Sequence, residues 1–143
     1  MNIPVLLQEK YSLLLEKKLE KPHRNKIVGQ FITFACRQLE IEKPYPRVIL
    51  NNDEEFGPKY KTFGMFHVED NKIVVAAANR NLADILRTIA HELTHYKQKL
   101  DGRIHIDNAD DSGKAGSEIE NEANARAGII MREFGHMFPQ IYE

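Results

Sequence analysis

The chain has 143 residues, 42% hydrophobic and 29% charged, with a formal net charge of −1. These values describe one domain able to bury a core and exclude wholesale disorder, while a charge near zero excludes a dedicated nucleic-acid coat. The one cysteine, Cys36, excludes an internal disulfide scaffold and fits a reducing compartment.

Ile3 to Leu19 reads as a helix, with Pro4 near its first turn and Leu7, Tyr11, Leu14 and Leu15 on one face. Gln8-Glu9-Lys10 interrupts its apolar residues, which denies a signal peptide its core, and no run approaches the roughly 18 apolar residues of a membrane span. A cytoplasmic chain with no membrane and no nucleic-acid partner is expected. Residues 1–50 carry nine Lys/Arg against five Asp/Glu, which reads as a solvated helical face. After Lys21-Pro22 a second helix spans about His23 to Leu39, striped by Ile27, Phe31, Ala35 and Leu39.

Pro44 and Pro46 force extended chain. Arg47 to Leu50 reads as a short strand and Asn51 to Lys59 as a loop. Thr62–Val68 and Lys72–Ala77 form a hairpin around Glu69-Asp70-Asn71. A helix over Leu82–Leu100 is capped by Asn81 and ended by Asp101-Gly102. The polar stretch from Arg103 to Gly116 reads as a loop. A last helix runs from the Ser117 cap to Phe134, with Gly135 as its stop. The fold class is α+β: two N-terminal helices, a small antiparallel or mixed sheet of about three strands, then two helices. One domain covers 1–143, with a helical part over 1–43 and a core over 44–143.

His91-Glu92-Leu93-Thr94-His95 is an H-E-x-x-H sequence, for which this composition alone gives an expectation of about 0.02 occurrences. Histidines four apart share a helix face and can grip one zinc ion. Glu92, about 100° round the helix, can take a proton from a metal-bound water without displacing it. The apolar stripe Leu82, Ile85, Leu86, Ile89, Leu93, Tyr96 and Leu100 lies opposite the two histidines, which are therefore expected outside the core. A catalytic zinc needs a third protein ligand. Glu118, Glu120, Glu122, His105 and His136 are the candidates. Glu118 and Glu120 also suit the helix dipole in a first turn, which accounts less well for Glu122. His136 and His105 are candidate oxyanion stabilisers.

Gly64 to Ile130 resembles the minimal metallopeptidase domain of the ImmA/IrrE type, a gluzincin arrangement. The likeness lies in the hairpin, in Ala90-His91-Glu92-Leu93-Thr94-His95, and in Glu120-Asn121-Glu122-Ala123-Asn124-Ala125-Arg126-Ala127. It implies a zincin-like fold and a zinc-dependent peptidase holding one Zn²⁺ through His91, His95 and Glu122, with Glu92 as general base. It also implies a peptide or protein substrate laid along an edge strand at Gly64, Met65 and Phe66. Arg126 stands where that family carries an aromatic; Asn124 and Thr88 are available to support the ligands. With its Phe138–Glu143 ending, the chain is more loosely similar to small phage-encoded H-E-x-x-H proteins, for which the compartment would be the host cytoplasm. A binding or regulatory protein on a zincin scaffold, with weak or no catalysis, is the alternative. Oligomeric state and cleavage specificity stay open.

Overall fold

The computed structural model describes residues 21–60, 62–104 and 117–142. The expected helix Ile3–Leu19 and His105 lie outside them. Among the described residues are four helices, α1 (Lys21–Gln38), α2 (Phe56–Tyr60), α3 (Leu82–Leu100) and α4 (Glu118–Met137), and three strands, β1 (Arg47–Asn51), β2 (Gly64–His67) and β3 (Lys72–Ala76). A final 3-10 turn covers Pro139–Tyr142. The α+β class and the mixed three-stranded sheet follow the sequence expectation.

The sheet order is β1-β3-β2, with β1 parallel and β2 antiparallel to β3. β3 is central and supplies Ile73 and Val75 to the core, while β2 is an edge. Ala76 N–H donates to Phe63 O, and the register pairs Met65 with Val74 and His67 with Lys72. By antiparallel alternation Met65 and His67 bond inward to β3, and Gly64 and Phe66 turn their N–H and C=O to the free side. Phe66 meanwhile points its ring down onto α3 and is fully buried.

Helix α2 occupies part of the stretch expected to be a loop. Asp53 starts it, its carboxylate accepting from Glu55 N–H and its carbonyl from Phe56 N–H, and Pro58 falls in a first turn that tolerates it.

Helix α3 has the expected bounds. The Asn81 side chain accepts from Asp84 N–H at 2.9 Å, and Gly102 leaves the helix at φ +75°, a conformation glycine adopts without strain. The expected stripe is buried except for exposed Leu100, yet Glu92, Thr94, His95 and Gln98 are buried too. The histidine side is thus not a solvated surface. The sheet, α1 and α4 all pack on α3 and enclose it on several sides.

Helix α4 begins at the Ser117 cap, whose hydroxyl accepts from Glu120 N–H at 3.1 Å. It buries Ala123, Ala127, Ile130, Met131 and Phe134, and Phe134 meets Phe31 of α1 edge-on at 5.0 Å. It does not stop at Gly135 but continues to Met137. That glycine serves packing instead: a Cβ there would fall 2.7 Å from the Tyr142 ring, which folds back over the helix.

Candidate metal centre

His91 and His95 stand one turn apart on α3, and their Nε2 atoms lie 3.1 Å from each other. Glu120, in the first turn of α4, reaches both: Oε1 is 3.1 Å from His91 Nε2 and Oε2 is 3.1 Å from His95 Nε2. Donors about 2.0–2.1 Å from a tetrahedral zinc ion are about 3.3 Å apart. This three-residue cluster therefore has nearly the dimensions zinc requires, and its atoms could hold a metal ion.

The hydrogen bonds around His95 fix its tautomer. Gln98 Nε2 donates to Ile119 O at 3.1 Å and to Glu122 Oε1 at 3.0 Å. Both partners are acceptors, so the amide cannot be turned round. Its Oε1 therefore faces His95 Nδ1 at 2.8 Å, and that nitrogen must carry the proton. In the neutral ring the Nε2 lone pair then points at the Glu120 carboxylate, an acceptor facing an acceptor. A proton or a cation between them resolves that repulsion.

Burial holds the His91 imidazole below its ordinary pKa, against the pull of Glu120. His95 adds to the lowering, and a hydrogen bond with the Asn124 side chain opposes it. The net direction favours the neutral ring, the form that ligates metals. The Phe66 ring stacks on His95 at 5.8 Å between centroids.

Glu92 is 3% exposed, directly beneath β2. A Cβ at Gly64 would lie 2.7 Å from Glu92 Cγ and 3.2 Å from its Cδ. Thr62 folds over the outer edge at this point: its hydroxyl donates to Gly64 O at 2.9 Å and accepts from Gly64 N–H at 3.3 Å.

The structure thus gathers His91, His95, Glu92 and Gly64. It does not bring Glu122 to the imidazoles. Glu122 Oε1 accepts from Arg103 Nη1 at 2.6 Å as well as from Gln98, and these two bonds, Arg103 first, hold its carboxyl below the usual range. Residues two apart on a helix point about 200° apart, so a helix that offers Glu120 to the histidines offers Glu122 elsewhere. Glu118 is exposed and belongs to no metal-binding cluster among the described residues. His136 is exposed 16 residues after Glu120 on α4, about 24 Å along the axis at 1.5 Å per residue, too far to serve as an oxyanion donor. Of the two candidate supports, Asn124 does bond His91. Thr88 does not; it accepts from Arg80 Nη2 at 2.7 Å and donates to Asp84 O at 3.0 Å. Arg126 donates to Gln38 O at 2.8 Å, tying α4 to the end of α1.

Sequence reasoning missed Gln98 altogether. Its signal was position, three residues beyond His95 on the same face. The signal for Glu120 was Asn124 one turn on.

The class defined by these features is a small α+β domain with a His–His–Glu cluster between two helices. No protein-family model, no curated protein and no solved structure matches the chain. Among the described residues no helix is long and apolar enough to cross a membrane.

Proposed function

We propose that the chain is a zinc-dependent metallopeptidase of zincin type, with His91, His95 and Glu120 as ligands of one zinc ion and Glu92 as general base. The observation that carries this reading is the convergence of the two imidazole Nε2 atoms, 3.1 Å apart, on the Glu120 carboxylate, one oxygen 3.1 Å from each, next to a carboxylate enclosed by β2.

When bound, zinc supplies a Lewis acid that lowers the pKa of water towards about 7. The rest of the chemistry falls to this chain. Glu92 takes the proton of the water that attacks a peptide carbonyl, then gives it to the leaving nitrogen. The outward N–H and C=O of β2 hold the substrate extended by main-chain hydrogen bonds, so its carbonyl is placed without dependence on side chains. The buried Glu92 favours catalysis over a purely binding scaffold, because a metal-binding module needs no carboxylate at that position.

The test combines zinc content with a peptide-library digest read by mass spectrometry, for wild type and Glu92→Gln. One zinc per chain in both proteins, with cleavage lost by at least about 10²-fold in the variant, is the expected result. Equal cleavage by the two would remove Glu92 from the role of base, and a wild type without zinc would remove the reading itself.

A further inference from the structure

We infer that Gln98 is a positioning residue for the metal centre, acting through His95 and itself fixed by Glu122 and the Ile119 carbonyl. The inference rests on the reading of His91, His95 and Glu120 as metal ligands.

Gln98 is 1% exposed, and His95 has no exposed surface. A buried imidazole must satisfy the nitrogen that does not ligate, and in this chain an amide oxygen does so. An amide suits the place better than a carboxylate. One end accepts from His95 Nδ1–H, and the other donates to Ile119 O and Glu122 Oε1. A carboxylate at position 98 would set its second oxygen against both of these acceptors.

Glu122 is in turn anchored by Arg103, one residue beyond Gly102 at the end of α3. The residue implied as a ligand by family resemblance therefore takes part at one remove. It orients the amide that orients the imidazole, and Nε2 is left as the nitrogen free to ligate. Because Gln98 sits on α3 and its two anchors on α4, the orientation of His95 also depends on the docking of the two helices.

The experiment measures zinc affinity of the full chain by chelator competition, for wild type and Gln98→Leu. It also follows the His95 imidazole by nitrogen–proton correlation spectra, with zinc loaded and with zinc removed. The expected result is an affinity loss on the order of 10- to 100-fold in Gln98→Leu. In wild type a slowly exchanging Nδ1 proton on His95 is expected with and without zinc, and it should exchange fast in the variant. Should Gln98→Leu not fold, Glu122→Leu carries the test from the partly exposed side. It should speed exchange of the Nδ1 proton, and Glu122→Gln, which keeps an acceptor, should not.

Unchanged affinity and unchanged exchange in Gln98→Leu, or a wild-type His95 protonated on Nε2 after zinc removal, would overturn the inference. A wild type that takes up no zinc overturns the metal reading instead, and the zinc-free spectrum still reports on the His95–Gln98 bond.

Discussion

Gly64 and Glu92 are in direct apposition: the strand backbone sits so close to the helix side chain that a single added methyl would fall 2.7 Å from Glu92 Cγ. Thr88 Cγ2 closes the same space at 2.9 Å. Gly64→Ala should therefore push the Glu92 carboxylate or lift β2, at a cost of about 1–3 kcal/mol for overpacking. The expected outcome is a lower melting temperature, full zinc content and a larger loss in turnover than in substrate binding. Unchanged melting and turnover would mean that β2 is not seated on Glu92.

Glu120 and Glu122 predict opposite phenotypes. Glu120→Ala removes the carboxylate that faces both imidazoles and should abolish stoichiometric zinc binding. Glu122→Ala loses the pair with Arg103 and one anchor of Gln98, and should keep one zinc per chain with weakened affinity. Metal analysis after dialysis separates the two. Zinc retained by Glu120→Ala and lost from Glu122→Ala would exchange their roles.

Thr62 occupies both outward backbone groups of Gly64, so a peptide added along β2 must first displace its hydroxyl. Thr62→Val keeps the shape and removes the competitor. On the proposed function, KM for a cleaved peptide should fall while kcat stays within about twofold. A KM that does not move would place the substrate away from this edge. Met65→Pro is a control of a different kind. Its N–H belongs to the inward set bonded to β3, so the change should lower thermal stability whether or not substrate binds there.

Cys36 is buried among the α1 core residues, and burial pushes its thiol pKa up to about 12. A raised thiol pKa suppresses the reactive thiolate. At pH 8 only about 10⁻⁴ of the folded protein would carry it, against a substantial fraction once the residue is exposed with a pKa near 8.5. A thiol-specific reagent should leave the native protein unlabelled and label it fully in denaturant, at a rate that follows unfolding. Rapid native labelling would contradict the burial.

Much of this domain is legible in the residues. Asn81, the alternating turns of apolar side chains and Gly102 delimit α3 to the residue, and β-branched runs locate β1 and β3. What the chain does not spell out is rotation. Glu120 and Glu122 have equal chemistry, and the choice between them depends on how α4 is turned about its axis, the rotation that buries Ala123 and Ala127. The dipole argument hid Glu120 because a first-turn glutamate already has a reason to be there. The buried state of His95 was hidden because periodicity on one helix reports a single packed face, whereas α3 is packed on several. Gly135 misled for a related reason. Glycine at a helix end reads as a stop, but its role here is to admit the Tyr142 ring.

His95 and Glu120 lie 25 residues apart in the chain, on two helices whose connection runs through residues 101–117. An ion gripped by both would be a removable rivet between α3 and α4. Since it could bind only where the two helices already meet, its affinity becomes resistance to their separation, about 2.7 kcal/mol when free zinc is 100 times the dissociation constant. Chelation should then lower the melting temperature and raise amide exchange first in the opening turn of α4, which the Ser117 cap, the Gln98 amide and the Arg103–Glu122 pair would go on holding. The same ion that would activate the water would also clamp the lips of its own cleft, so losing it would silence and loosen the protein together.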